Sequence, residues 1–245
     1  MELAPGLGNG LALALIALSF LTSLITATFS LGGGSLLIAV MALILPPLVV
    51  VPVHGCVQLG SNAGRALLQR SHIQWSFILW VTLGAALGSV IGGQLAWLLP
   101  GRWLAGAIGL FVLVTTWLPQ PKIIATSHAV QFVGGTMVSA LGMLVGAAGP
   151  LVAAFVRGIP DRRQLVATHA MLNTFVHVFK VAVFVAMGFA FGQYLPLILL
   201  MVLAGFAGTA VGGHLLARVP ENVFRLAFRI LLSAVAVGLM WRALV

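Results

Sequence analysis

Two sets of polar side chains with the same spacing occupy two otherwise apolar segments of this 245-residue chain. In each set a histidine is followed, after four, eight and eleven residues, by an amide, a second polar side chain and a base. The sets are His54, Gln58, Asn62 and Arg65, and His169, Asn173, His177 and Lys180. Eleven residues make about three turns of an α-helix, so each set lies along one face of one helix. Such a face suits an anion, and its histidines could also carry a proton, because imidazole titrates near neutral pH.

A glycine-containing break precedes each set, and the two breaks are 115 residues apart, as the sets are. The first break is Gly32, Gly33, Gly34 and Ser35, and the second is Ala147, Ala148, Gly149 and Pro150. Glycine lets the backbone turn, Ser35 suits an N-cap and Pro150 suits the first helical position, so we predict that a new helix starts at each break. A helix start offers unpaired N–H groups and the positive end of the helix dipole, which favours a bound anion. A plain kink is the alternative.

The composition places both sets inside a membrane. Of the residues, 61% are hydrophobic and 6% are charged, with a mean hydropathy of +1.18, which leaves several times too few charges for a soluble surface. A membrane-spanning helix needs about 20 apolar residues. Eight segments qualify, at 11–30, 48–69, 74–99, 102–118, 126–145, 164–190, 193–217 and 222–241, whereas those at 35–45 and 150–156 are too short. We therefore predict an all-α polytopic membrane protein with a single transmembrane domain, residues 1–245.

The charge balance and the cysteine count exclude other classes of function. Lys and Arg outnumber Asp and Glu by 12 to 3, which in a membrane protein is typical of cytoplasmic loops and not of a nucleic-acid partner. The single cysteine, Cys56, cannot form an internal disulfide or a dithiol pair, which excludes a thiol oxidoreductase acting by itself. We predict no enzyme activity, no cofactor and no metal site. The N-terminus lacks the basic region of a signal peptide, so the first apolar segment is expected to be retained.

The two halves are predicted to be inverted repeats, residues 10–118 and 126–242. Bases follow the polar helix in the first half and precede it in the second: Arg65, Arg70 and His72, then Arg157, Arg162 and Arg163. Because basic loops face the cytoplasm, the halves point opposite ways across the bilayer. Each repeat is then a glycine-broken helix pair, which either crosses or re-enters, followed by three transmembrane helices. Residues 150–156 cover only about 10 Å of a core about 30 Å thick, which favours re-entrant or broken pairs.

The acidic residues indicate the sign of the substrate. All three acids, Glu2, Asp161 and Glu221, are predicted to be loop or terminal residues. A cation-coupled carrier would normally place a carboxylate within the membrane, so its absence points to an anionic substrate with Lys180 or a histidine as the counter-charge. Two simpler roles stay open, because the polar side chains could join helices by hydrogen bonds and Arg65 could be an interfacial residue.

Several of these motifs resemble those of the TauE/SafE sulfite exporter family. They are the glycine triplet before Ser35-Leu36-Leu37, its degenerate second copy at 149–152, the polar helices that follow, and the Gly-Gly pairs at 92–93 and 212–213. The resemblance covers nearly the whole chain. It implies a carrier in the inner membrane of a bacterium or archaeon that moves sulfite, sulfoacetate or related organosulfur anions, usually outward. Two departures concern the substrate: Ala147 and Ala148 replace glycines, and His54 and His169 stand where small hydroxyl-rich residues are expected.

We therefore predict a secondary transporter, expected to be an exporter, that binds a small anion near the bilayer midplane between the two breaks. The predicted substrate-binding residues are Gly32, Gly33, Gly34, Ser35, His54, Gln58, Asn62, Gly149, Pro150, His169, Asn173, His177 and Lys180. Its partners would be the anion, the lipid bilayer and a proton carried by histidine, and a homodimer stays open. The alternative is a non-transporting membrane subunit whose polar groups only pack helices and bind a partner. A rise in melting temperature with added anion separates the two, because a ligand stabilises the folded form that binds it.

Overall fold

The structure is a computed structural model that describes residues 2–29, 32–119, 127–215 and 221–244. These residues form ten α-helices and two short 3₁₀ helices, Arg70–His72 and Phe191–Tyr194, without a strand. The helices are α1 (Asn9–Phe29), α2 (Gly33–Ile44), α3 (Pro47–Leu68), α4 (Trp75–Leu98), α5 (Gly101–Trp117), α6 (His128–Val145), α7 (Gly149–Val156), α8 (Arg162–Ala186), α9 (Leu195–Leu215) and α10 (Glu221–Leu244). The all-α fold of a polytopic membrane protein is confirmed.

Six of the described helices are long and apolar enough to span a membrane. Their apolar parts are Asn9–Ala27, Trp75–Leu98, His128–Val145, Arg162–Ala186, Phe191–Val211 and Leu226–Leu244. The sequence predicted two more spans, which correspond to α3 and α5. Helix α5 has only 17 residues, and the polar face of α3 lowers its hydropathy. Both helices begin and end within a few residues of the predicted bounds.

Both glycine breaks are helix starts, as predicted. The N-cap of α2 is Gly32, whose φ of 98° is a left-handed conformation that glycine adopts without the strain of a side chain. The second break turns at Gly146, with a φ of 74°, and α7 starts three residues later at Gly149. Ser35 was predicted as an N-cap, but it is the third residue of α2, because the turn at Gly32 starts the helix earlier. The eight residues of α7 are too few to cross a bilayer core about 30 Å thick.

The helices pack mainly in four pairs: α4 with α6, α1 with α9, α5 with α10, and α3 with α8. Each of the helices α1 to α5 has its counterpart five helices later, so that α1 corresponds to α6 and α4 to α9. If every helix is replaced by its counterpart, the pair α4–α6 becomes the pair α9–α1. The same replacement leaves the pairs α5–α10 and α3–α8 unchanged. The pair α3–α8 brings the two polar faces together, with the rings of His54 and His177 6.2 Å apart.

Glycines allow two of these pairs to approach to backbone contact. Helix α4 turns one glycine-lined face to α6, and a Cβ on any of these glycines would overlap an α6 carbonyl. The glycines are Gly84, Gly88 and Gly92, and the carbonyls are those of Phe132, Thr136 and Ala140. In the pair α1–α9, Gly208 lies against the carbonyl of Phe20 in the same way. Small residues allow this close helix packing in membrane proteins.

Replacing Gly88 with alanine is expected to lower the melting temperature of the purified protein. The added Cβ meets the carbonyl of Thr136, which is backbone and cannot move aside alone, so α4 and α6 must separate. Overpacking of this kind costs about 1–3 kcal/mol. The control is Gly10→Ala on α1, where an added Cβ meets no atom within 4 Å. Equal melting temperatures of the two variants in detergent would contradict the close α4–α6 contact.

Candidate functional site

The two polar faces and the two helix starts line one cavity of about 450 Å³. Eleven of the thirteen predicted binding residues are in its wall: Gly32, Gly34, Ser35, His54, Gln58, Asn62, Gly149, Pro150, His169, Asn173 and His177. The structure places Gly33 and Lys180 outside this wall. Gly33 packs against α1, where a Cβ would overlap the carbonyl of Thr22. The predicted residues thus converge around one space, while their role in binding stays a prediction.

Each polar helix is tied to the start of a broken helix by one histidine. The Nε2 atom of His54 lies 3.0 Å from the carbonyl oxygen of Gly34, and Nε2 of His169 lies 3.0 Å from that of Gly149. A carbonyl only accepts a hydrogen bond, so both Nε2 atoms carry a proton and donate it. The two contacts are related by the same offset of 115 residues that relates the polar sets.

The amides next to these histidines are held within their own helices. Asn62 Nδ2 donates to the backbone oxygen of Gln58 at 2.8 Å and to its Oε1 at 3.2 Å. Asn173 Nδ2 donates to the backbone oxygen of His169 at 2.9 Å. Hydrogen bonds between membrane helices would have to leave the helix. The observed bonds therefore do not support the reading of these amides as interhelical contacts.

Three arginines also line the cavity, and sequence reasoning did not select any of them as a binding residue. Arg65 on α3 is half-buried, and its guanidinium lies 3.5 Å from Ser61 Oγ. Arg157 follows α7 directly, and Arg229 on α10 is exposed, with its guanidinium 5.7 Å from the ring of Trp117. The repeat could have identified Arg65, because it is the counterpart of Lys180 at the offset of 115. Only the folded chain brings Arg229 to this site.

Among the described residues that line the cavity, none has a carboxylate. Asp161 caps α8 instead, with Oδ1 accepting from the backbone N–H of Gln164 at 2.8 Å. Glu2 is exposed near the N-terminus. Within the described ranges, no three His, Cys, Asp or Glu side chains are grouped as a metal site would require. The wall therefore offers cationic and N–H donor groups, which together favour an anion.

Lys180 lies behind the histidines and is fully buried. Its Nζ donates to the carbonyl oxygen of Gly146 at 2.7 Å, at the turn before α7. Its stem crosses Gly55, where a Cβ would lie 2.9 Å from Lys180 Cδ. The sequence predicted a lysine deep in the membrane without a carboxylate partner, and the hydrogen bond to Gly146 is how the fold accommodates it.

A comparison with known families decides what kind of protein carries this cavity. The sequence model of the family described as Sulfite exporter TauE/SafE matches residues 15–239. This chain belongs to the TauE/SafE family. TauE/SafE proteins are membrane transporters of sulfite-type anions and not enzymes, and family membership favours transport over the alternative of a non-transporting subunit. Neither a curated protein nor a solved structure matches this TauE/SafE chain.

Gly149 provides a test of whether the anion of this TauE/SafE protein enters the cavity. Gly149 lines the cavity, and a Cβ built on it meets no atom within 4 Å, so we expect a larger side chain to extend into the cavity. We expect Gly149→Leu to fold with a nearly unchanged melting temperature and to lose the stabilisation that sulfite gives to the unaltered protein. Gly149→Ala, the control, should keep most of it. Equal stabilisation of the leucine variant would place the anion elsewhere.

Proposed function

We propose that this protein exports a small sulfur oxyanion, either sulfite or an organosulfonate such as sulfoacetate, by secondary transport across the inner membrane of a prokaryote. The observation that carries the proposal is the cavity wall itself, which combines three arginines and two helix starts and has no carboxylate among its described residues. A wall of this kind attracts an anion and disfavours a cation, because the nearby charges and dipoles have one sign. Membership of the TauE/SafE family supports the same substrate class.

The anion is proposed to bind between the starts of α2 and α7, with Arg65 as its charged ligand. The first residues of a helix have backbone N–H groups without a partner in the helix, and Gly34 and Ser35 supply such groups at the cavity wall. A guanidinium offers several N–H donors in one plane, which suits the oxygens of an oxyanion. The oxyanion would therefore accept hydrogen bonds from the unpaired backbone N–H groups and at the same time balance the charge of Arg65.

We also propose that the halves are inverted repeats, which the helix pairing and the equal histidine contacts support. In the orientation given by the basic loops, Arg157 and the end of α5 lie on the cytoplasmic side. Because Arg157 and Pro119 are in the cavity wall, the cavity would open toward the cytoplasm. Arg65 would then stand at the open side and its counterpart Lys180 at the closed side. A conformational change that closes the side at Arg65 and opens the side at Lys180 would release the anion outside, as in transporters built from inverted repeats.

Cysteine labelling tests the inverted orientation. In a protein whose Cys56 is replaced by alanine, single cysteines at Ser71 and Gly158 should react with a membrane-impermeant reagent only from the cytoplasmic side. Both positions are exposed and flank basic turns. A cysteine at Gly192, in the uncharged turn between α8 and α9, should react from the opposite side. Labelling of Ser71 and Gly158 from opposite sides would contradict the inverted repeats.

Replacing Arg65 tests the proposed anion ligand. Arg65→Gln removes a half-buried charge from the cavity wall, so we expect sulfite affinity to fall about 10- to 100-fold, which corresponds to the loss of one charge-assisted hydrogen bond. Arg65→Lys should fall less, because the charge stays. The matched control is Arg70→Gln, an exposed arginine outside the cavity wall, which should bind normally. Binding is measured by sulfite-dependent thermal stabilisation, and counterflow in vesicles measures transport. Normal binding by Arg65→Gln would exclude this ligand role.

A further inference from the structure

Three buried side chains at the cavity wall and next to it form what we call the imidazole–lysine cluster: His54, His177 and Lys180. Their exposed fractions are 1%, 2% and 0%. The two imidazole rings meet edge to face with centroids 6.2 Å apart. Both histidines also line the cavity, whereas Lys180 does not. The cluster therefore joins a fully buried amine to the space in which the anion is proposed to bind.

Two ring nitrogens of this cluster have no hydrogen-bond partner in the described part of the chain. They are Nδ1 of His54 and Nδ1 of His177, and both are buried. Since Nε2 of His54 donates its proton to Gly34, the lone pair of a neutral His54 is on Nδ1. A buried polar atom without a partner costs free energy and is uncommon in folded proteins. Such a nitrogen has a free place for a proton, which the rings can hold only when a nearby negative charge offsets the cost of burial.

The charges around the two rings come from the cluster itself. Among the described residues, His54 and His177 interact electrostatically with each other and with Lys180. The neighbouring helices α2, α4 and α7 have no ionisable side chain. On the other elements that pack against α3 and α8, such side chains are Arg70, His72, Arg102, His128 and His214, all near the ends of those elements. The remaining ones on α3 and α8 themselves are Cys56, Arg65, Arg162, Arg163 and His169.

We infer that His54 and His177 form the site of a co-transported proton, held by one of the two rings, and that this proton crosses the membrane together with the anion. The inference rests on the proposed function and deepens it. In the empty protein, burial away from water opposes a positive charge on either ring, and the repulsion from a protonated Lys180 opposes it further. An anion in the adjacent cavity offsets this repulsion, so the anion and the proton each strengthen the binding of the other. Lys180 then acts on the proton and does not touch the anion.

His169 is the matched comparison for this site. It is the counterpart of His54 in the second half and makes the same 3.0 Å contact with a glycine carbonyl. Its ring interacts with Arg65 in place of the imidazole and the lysine that surround His54. His169 should therefore support anion binding without carrying the proton, so its replacement should change the affinity and not the number of protons taken up.

Calorimetry of thiosulfate binding to the purified protein tests the inference. The charge of thiosulfate is constant near neutral pH, and titrations in two buffers with different ionisation enthalpies give the number of protons taken up. We expect about one proton per anion for the unaltered protein, as mutual stabilisation requires. Sulfite is titrated in parallel, with its own protonation subtracted. If neither anion binds, the proposed function fails, and the inference with it.

Three variants complete the experiment. His177→Gln removes one ring of the proton site and should bind the anion with almost no proton uptake. Lys180→Met removes the repulsion from Lys180 while the burial of the rings remains, so the anion should bind with a proton uptake that persists to higher pH. His169→Gln should bind more weakly but still take up about one proton. Anion binding by the unaltered protein without proton uptake would overturn the inference and leave the proposed function intact. Full uptake by His177→Gln, or uptake by Lys180→Met that ends at the same pH as in the unaltered protein, would overturn it as well.

Discussion

Backbone polar groups inside an apolar medium need partners within the protein, and this constraint shapes the centre of the molecule. A helix that starts directly after a break in the preceding helix, as α2 and α7 do, begins with N–H groups that have no partner in the helix, and a turn must precede it. Three side chains bind the carbonyls at these breaks: His54 at Gly34, His169 at Gly149 and Lys180 at Gly146. These carbonyl groups thus have partners within the protein, while the first N–H groups of the two helices are the proposed ligands of the anion. The unpaired N–H groups make the breaks electropositive, and an electropositive site favours an anionic substrate.

The two halves satisfy this constraint with the same histidine but with different cations. Arg65 and Lys180 stand at equivalent positions, yet one is half-buried in the cavity wall and the other is fully buried against a carbonyl. A guanidinium keeps its charge in nearly any environment, whereas an amine can lose its proton when buried. The arginine is therefore the better anion ligand, and the lysine is the better neighbour for groups that exchange a proton.

The helices and the polar faces could be predicted from the sequence because long apolar runs bounded by Pro, Gly and bases allow few arrangements in a membrane. The contact between His54 and Gly34 recurs between His169 and Gly149, at the offset of 115 residues that the sequence predicted. The role of Ser35 did not, since propensity alone could not show that the left-handed turn lies at Gly32. Arg157 and Arg229 lie outside the polar helices, and only the packing of α7 and α10 brings them to the cavity. The depth of Lys180 depends on the space at Gly55, which no pattern of hydropathy records.

The backbone contacts of α4 with α6 and of α1 with α9 limit how the protein can move. Each contact joins a helix of the first half to a helix of the second, so the halves are interlocked and are not two lobes. An opening that separated the first half from the second would have to break both contacts at once. In the proposed transport cycle, alternating access would therefore leave the pairs α4–α6 and α1–α9 together as a frame. The proposed cycle would then move α3, α8 and the short broken helices relative to that frame.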